Sequence, residues 1–395
     1  MFTDILLKLA GEIGPRPIGT PANARAAAAL RAELAALGLV VEEQALAVPA
    51  WQDWGTLLEA AGERLEAITN PFSPRGEVTA PMVSAGTLAE LAALDLTGRI
   101  VLLYGALALG PLAPKSWFLK SAAEDALITR LETSGARAVL LAQTGWNRAE
   151  RLIEDAEFQL PSATMPPAAA RRLLLLPPET PVHLRIASYT APGQALNLIG
   201  RWRPETAARV VLCAHFDTKF GTPGALDNAA GVASVLETAR RLIAADFPLG
   251  LDVILFNGEE YLPVGSFAYV DREAAHLGTI LAVVNFDGVG ALLGATSIAS
   301  YAVSPAFQRV AEAQAARSPA VVWVEPWPES DHSTFVMRGV PALAFTSRLG
   351  IHRHHSAGDS LDWVDAARLE AAVDLATRIV GELADKTPAW TRPAE

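Results

Sequence analysis

The 395-residue chain contains a single cysteine, Cys213, which excludes an internal disulfide framework and a cysteine-based zinc finger. Cys213 lies in the apolar run RVVLCA and reads as a small core hydrophobe. Long hydrophobic runs are also missing. A membrane-spanning helix needs roughly 18 or more consecutive apolar residues. The longest stretch here, Ile100 to Ala113, is broken by Gly105, Gly110 and Pro111. Positive charge is scarce: 32 Lys and Arg stand against 43 Asp and Glu, a net charge of −11. Such a chain repels phosphate backbones, so no nucleic-acid partner is expected. The opening MFTDILLKLAGEIGPRP places Asp4 and Lys8 early and lacks a basic n-region, so it does not read as a secretory signal. The expectation is a cytoplasmic enzyme with no membrane association. Charged residues make up only 19% and hydrophobic residues 51%, the reverse of a disordered composition. At roughly 100–200 residues per domain, the length suggests two or three domains.

What is present is organised in three stretches. Residues Ala22 to Leu37 are rich in Ala and Leu with spaced charges, which predicts an amphipathic helix stopped by Gly38. LVVEEQALAV follows as a strand. From Trp51 to about Tyr189 the texture changes. Strand-like runs (RIVLLY, ARAVLLA, VHLRIA) alternate with Pro- and Gly-rich loops and a helix near Ala122–Thr133. A stretch this long needs a core of its own, so residues 51–190 read as a domain inserted between 1–50 and 191–395. From Ala195 onward strands and helices alternate. ARVVLCA, LDVILFN, TILAVVNF, AVVWV and PALAFTS are the strands; Ala229–Ala244, Ser266–His276, Pro305–Arg317 and Asp362–Ala384 are the helices. Alternation of this kind predicts an α/β sandwich with a largely parallel sheet.

Five of the seven histidines fall in three short places: His215, His332, and the cluster His352, His354 and His355. Acids stand at the ends of the neighbouring strands. His215 and Asp217 follow RVVLCA, Glu259 and Glu260 follow DVILFN, and Asp287 follows ILAVVNF. The ligand crevice of an open α/β sheet lies outside the carboxyl ends of its strands, so these side chains are expected at one edge. Nitrogen and carboxylate donors without a thiolate favour zinc or another borderline divalent ion. Asp227, in the glycine-rich turn TPGALDNAAG, reads equally well as a bridge between two metals or as a helix N-cap. The adjacent pair Glu259–Glu260 repels itself unless cations are near, which reads as one metal ligand and one general base.

In order along the chain, HFD (215–217), GALDNAAG (224–231), NGEEYLPVGS (257–266), NFDGVG (285–290), SDHSTF (330–335) and HHSAGD (354–359) resemble the motifs of the di-zinc aminopeptidase and glutamate carboxypeptidase family, bacterial leucyl aminopeptidase type. GEIGPRPIGT also looks like that family's opening segment. The resemblance implies a three-layer α/β sandwich with a mixed, mainly parallel sheet, the zinc exopeptidase fold. It implies two Zn2+ per chain, with Mn2+ or Co2+ as substitutes. His215 and Asp287 would bind one ion, Glu260 and His355 the other, and Asp227 both. Glu259 would be the general base, and Asp217 would orient the His215 imidazole. His355 is preferred to His354 because four residues separate it from Asp359–Ser360, the family's spacing. Asp331 and His332 read as substrate or oxyanion contacts, with hydrogen bonding at a turn as the equal alternative. Arg348 and Arg353, near the histidine cluster, read as contacts for a substrate carboxylate, against the commoner surface arginine.

DLTGRIVLLYG, LETSGARAVLLA and QLPSATM in the insert look like the protease-associated domain that members of this family carry at that position, and imply a mainly-β unit. The segment Tyr261–Leu262–Pro263–Val264 departs from the family's more usual glycine-containing tail after the Glu pair. The implied reaction is hydrolysis of a peptide at its free N-terminus, with a peptide or dipeptide as substrate. A dipeptidase or glutamate-carboxypeptidase-like hydrolase is the alternative. A single-zinc glutaminyl cyclase and a receptor-like binding module that has lost its ligands are further ones. Zinc content separates the last two from the hydrolases. Oligomeric state is left open.

Overall fold

The computed structural model describes residues 2–117, 120–143, 151–261, 263–348 and 354–394. The chain forms two compact units, Met1–Val48 with Gln194–Glu395, and Pro49–Gly193. No helix among the described residues is long and apolar enough to cross a membrane.

The first unit is built on a mixed sheet. Across it run Val321–Trp323, Ala295–Tyr301, Ala342–Arg348, Ile280–Phe286, Arg209–His215, Gly250–Phe256 and the last part of Pro181–Trp202. The four strands from Ala342–Arg348 to Gly250–Phe256 are mutually parallel. Ala295–Tyr301 is antiparallel to Ala342–Arg348, and Leu198–Trp202 is antiparallel to Gly250–Phe256. Side chains alternate across the central strand, as a period of two requires. Val210, Leu212 and Ala214 join a core with the helices Ala230–Ala244 and Ala366–Gly381. Val211 and Cys213 join a second core with Tyr269 and Phe335, from the helices Val264–Arg272 and His332–Val336. Both faces are therefore covered, which explains why these strands are near-continuous apolar runs.

Local chemistry sets the element ends. Thr20 caps the helix Pro21–Ala36: its side chain accepts from the Asn23 N–H at 3.2 Å. Asp365 caps Ala366–Gly381 through the Arg368 N–H at 2.9 Å, so this helix starts later than Asp362, and Leu361–Trp363 forms a separate 3-10 turn. The helix expected at Ser266–His276 runs from Val264 to Arg272, and the one expected at Pro305–Arg317 ends at Ala315. The elements not anticipated include the N-terminal helical segments Phe2–Leu6 and Leu7–Ile13, the helix His332–Val336 and the strand Ala295–Tyr301. The latter, ATSIASY, is mostly small residues and stands in the sheet through pairing with Ala342–Arg348 rather than through a strong pattern of its own.

In the second unit Gly76–Ala85, Ile100–Leu103, Ala138–Ala142 and Ser162–Met165 lie parallel in that order. Ile68–Thr69 and the start of Pro181–Trp202 close its edges in antiparallel pairing. Parallel strands need crossover connections. Here the helices Leu88–Ala93 and Ala122–Thr133 stand between successive strands, and Pro167–Leu174 follows the last of them. Strands make up the larger part of this unit's regular structure, with the three helices beside them. Ala122–Thr133 begins at a reciprocal capping box of Ser121 and Glu124.

Candidate metal centre

Four parallel strands deliver the site from their carboxyl ends. His215 ends Arg209–His215, and Asp217 lies just beyond. Glu259 and Glu260 follow Gly250–Phe256 across Asn257 and Gly258. Asp287 follows Ile280–Phe286, its N–H held by the Phe345 carbonyl at 2.9 Å. His354 and His355 come from the segment after Ala342–Arg348. Asp227 arrives from the turn before the helix Ala230–Ala244.

Asp227 is not the cap of that helix. Ala229 occupies the cap position, and Asp227 has a non-helical backbone (φ −120°, ψ 88°). Its carboxylate instead faces two histidines. Asp227 Oδ1 lies 3.2 Å from His215 Nε2, and Asp227 Oδ2 lies 3.1 Å from His355 Nε2. His215 Nε2 is also 3.5 Å from Asp287 Oδ1, and His355 Nε2 is 3.2 Å from Glu260 Oε2. Two donor sets thus share one carboxylate. Ligands about 2.0–2.2 Å from a tetrahedral zinc lie about 3.3–3.6 Å from one another, close to these separations. The ligand atoms of His215, Asp227 and Glu260 all fall within 4.8 Å of one another.

Hydrogen bonding does not explain the arrangement. Both ring nitrogens of the buried His215 lack a hydrogen-bond partner among the described residues, although carboxylates stand around them. The acids Asp217, Asp227, Glu259, Glu260, Asp287, Asp331 and Asp359 gather around few cations. Buried charges of one sign require compensation, which bound divalent cations would supply. The residues present therefore fit the metals.

The electrostatics follow from burial and crowding. Burial lowers the basicity of His215, but Glu259, Asp287, Asp217 and Asp227 outweigh it and raise its pKa well above the ordinary range. Burial pushes the Asp227 carboxyl up, yet His215 and His355 pull it well below the usual value. Glu259 is pushed well up by burial and by Asp287, Asp331 and Glu260. Glu260 is raised by burial and by Asp227. A base with a raised pKa is suited to proton transfer near neutral pH.

Asp217 and Asp359 support the donors. Asp217 Oδ1 lies 3.6 Å from His215 Nδ1, longer than a hydrogen bond. Its oxygens accept the N–H groups of Glu259 at 3.2 Å and Glu260 at 3.3 Å, so it ties the two strand ends together. Asp359 accepts the N–H groups of Leu226 at 2.7 Å and Asp227 at 3.0 Å. Burial pushes its carboxyl up to about 6, with Asp227 adding to the rise. Spacing had marked Asp359 only as a counting point for His355.

Of the two described histidines in the cluster, His355 is the nearer. It has a left-handed backbone (φ 59°) and meets both Asp227 and Glu260. His354 Nδ1 is 4.0 Å from Asp227 Oδ2, and its ring lies over Gly288, where a Cβ would meet it at 2.7 Å. His352 and Arg353 lie outside the described residues. Arg348 ends its strand with an exposed side chain and makes no ion pair among the described residues. Asp331 and His332, read from the sequence as substrate contacts or as hydrogen bonding at a turn, are buried at 1% and 0% exposure. His332 Nε2 is 3.1 Å from the Trp327 carbonyl, and its ring packs on Tyr301 and Trp327; burial lowers its pKa to about 4. This is the hydrogen-bonded turn alternative. Burial, with Asp217 and Asp287, pushes Asp331 up to about 7.

Sequence reasoning missed Arg16, Asn23 and Asn257. Asn23 and Asn257 exchange side-chain amide bonds of 2.9 Å each way. The signal available was an arginine between two prolines in GPRP, a poor place for a surface charge.

Residues 197–380 match the model of Peptidase family M28. Among curated proteins, Aminopeptidase YwaD of Bacillus subtilis is 27% identical over 277 residues, 67% of this chain and 56% of that protein. The "Probable lipoprotein aminopeptidase LpqL" of Mycobacterium tuberculosis is 33% identical over 112 residues, 27% of this chain and 22% of that protein. The matched part thus spans little more than half, at most, of those relatives. Among solved structures, BSAP, a zinc aminopeptidase from Bacillus subtilis, superposes with a TM-score of 0.81 at 21% identity, covering 99% of this chain and 97% of that one. An aminopeptidase from Aneurinibacillus sp. strain AM-1 gives a TM-score of 0.76 at 21% identity, covering 100% of this chain and 94% of that one. These two likenesses establish the zinc aminopeptidase fold. The match to Peptidase family M28 thus covers a little under half of the chain, residues 197–380, and the fold is that of the zinc aminopeptidase structures named above.

Proposed function

We propose that the protein is a metal-dependent exopeptidase of the aminopeptidase type that works with two divalent cations, zinc in the first place. The observation that carries the reading is the Asp227 carboxylate, with one oxygen 3.2 Å from His215 and the other 3.1 Å from His355. His215 and Asp287 would hold one ion, Glu260 and His355 the other, with Asp227 between them. When bound, the ions supply Lewis acidity: a more acidic water and a polarised scissile carbonyl. Glu259 takes the proton of the attacking water and passes it to the leaving amine; its raised pKa suits both steps. Asp217 keeps Glu259 in place through its backbone N–H. The surplus of carboxylates attracts the positive α-amine of a peptide, which favours attack next to a free N-terminus. Both relatives named above as curated proteins are described as aminopeptidases, one of them as probable.

The test pairs metal content per chain with release of nitroaniline from Leu- and Arg-p-nitroanilide, before and after chelation, and from the N-acetylated substrates. Two equivalents of zinc, chelator-sensitive release and no release from acetylated substrates are expected. Release from acetylated substrates would remove the aminopeptidase reading. One equivalent or none would remove the two-metal site.

A further inference from the structure

We propose that Arg16 is a positioning residue of the metal centre: it holds the turn that carries Asp227 in register with the end of the His215 strand. The proposal rests on the two-metal reading above. Arg16 lies outside the matched family segment, on the N-terminal stretch GPRP.

The guanidinium is fully buried, at 0% exposure. It makes no ion pair among the described residues and spends its donors on backbone carbonyls. Nε donates to Phe216 at 2.6 Å, next to His215. Nη1 donates to Pro223 at 2.7 Å and, at 3.3 Å each, to Leu9 and Gly14. Nη2 donates to Gly224 at 2.9 Å. One side chain thus pins both ends of the loop from Phe216 to Gly224, and Asp227 follows three residues later. The Arg16 backbone N–H adds a bond to Thr218 Oγ1 at 2.9 Å. The rigid planar fork of arginine suits this task; the point charge of lysine does not.

The turn is packed tightly around this anchor. Gly224 has a left-handed backbone (φ 64°), and a Cβ there would stand 2.2 Å from Thr218 Cγ2, 2.6 Å from the Asp227 carbonyl and 3.2 Å from Arg16 Nη2. The same N-terminal stretch reaches a second site-bearing loop. Asn23 donates to the Arg16 carbonyl at 3.0 Å and exchanges amide bonds with Asn257, two residues before Glu259. The Arg16 charge lies among Asp217, Asp359, Asp227 and Glu260, which favour it, while burial lowers its pKa to about 10. The group stays cationic at neutral pH.

The experiment titrates metal-stripped protein with zinc against a chromophoric chelator. It compares wild type, Arg16→Met, Arg16→Lys and a control, Arg201→Met. Arg201 pairs with Asp252 at 3.3 Å and Glu273 at 3.1 Å, near the opposite end of the Gly250–Phe256 strand. Residues that orient metal ligands typically cost about 10–100-fold in metal affinity when replaced, and Arg16→Met is expected in that range. Arg16→Lys is expected to recover only part of the loss, since one ammonium cannot span the same carbonyls. Arg201→Met is expected to lower the thermal midpoint while leaving zinc affinity within about twofold, because it acts on the fold and not on the second sphere of the metal. Zinc affinity of Arg16→Met equal to wild type would overturn the proposal. So would an equal loss in Arg201→Met, which would mean general loosening. Should Arg16→Met fail to fold, Arg16→Lys decides, and wild-type affinity there overturns it. A wild-type protein that binds no zinc removes the functional reading and this proposal together. Normal wild-type binding with unaffected variants removes this proposal alone.

Discussion

Replacing Asp227 by asparagine tests the shared-carboxylate geometry most directly. The substitution keeps the shape of the side chain and the backbone N–H bond to Asp359. It removes one negative charge at 5% exposure, facing His215 on one side and His355 on the other. Removing one partner of a buried charge pair costs about 3–5 kcal/mol, and here the partners are the cations the site is built to hold. At 1.4 kcal/mol per tenfold, that is about two to four powers of ten in metal affinity. Both ions are affected, because the one carboxylate serves both donor sets. The assay is equilibrium competition with a zinc chelator, followed by zinc content after gel filtration. An Asp227→Asn protein that keeps two equivalents with affinity within about threefold of wild type would refute the bridge, since no buried charge pair of this kind is so weak.

Glu259→Gln is expected to keep both zinc equivalents and lose about 10²–10⁴ in kcat, the usual contribution of a general base; kcat near wild type would reassign the base. His355→Ala is expected to lower zinc stoichiometry, whereas His354→Ala, whose ring is 4.0 Å from Asp227, is expected to keep it; metal analysis of the two separates them. Chelated, metal-free protein is expected to be less stable at pH 8 than at pH 5. Asp359 at about 6 and Asp331 at about 7 both stand above the ordinary 3.8, so the folded state binds the extra protons. Stability is then fully present below about pH 4 and lost as pH rises through about 6 to 7, by on the order of 3–4 kcal/mol per group. The raised His215 and His355 act in the same direction at higher pH. Urea midpoints at the two pH values check this, and a higher midpoint at pH 8 would contradict it.

Much of this was legible in the residues because burial periodicity and capping are local. The apolar runs at 209–215, 250–256 and 280–286 are strands wherever they stand, and polar side chains just past them fall at one sheet edge by the rule of parallel topology. His215, Glu259, Glu260 and Asp287 therefore followed from pattern. The N-cap Ser121 and the helix Ala122–Thr133 likewise depend on a few neighbours in the chain. The strand Ala295–Tyr301 did not: its small residues are held by antiparallel pairing with the distant strand Ala342–Arg348.

What the chain alone determined is the set of donors, the alternation of strands and helices, and the absence of cysteine chemistry. What only the tertiary structure decided is which donors meet. Asp227 suited a helix cap and a bridge equally until the fold put its two oxygens against two histidines. Spacing already favoured His355 over His354, and the fold adds the distances of 3.1 Å and 4.0 Å to Asp227. Arg16 carried no role in the sequence reading, and only the fold brings its guanidinium to Phe216 and Gly224, 200 and 208 residues on. The physical reason is common to all three. A side chain's identity is local, but its partners lie across the sheet edge, and long-range packing alone sets distances of 3 Å between residues so far apart in the chain.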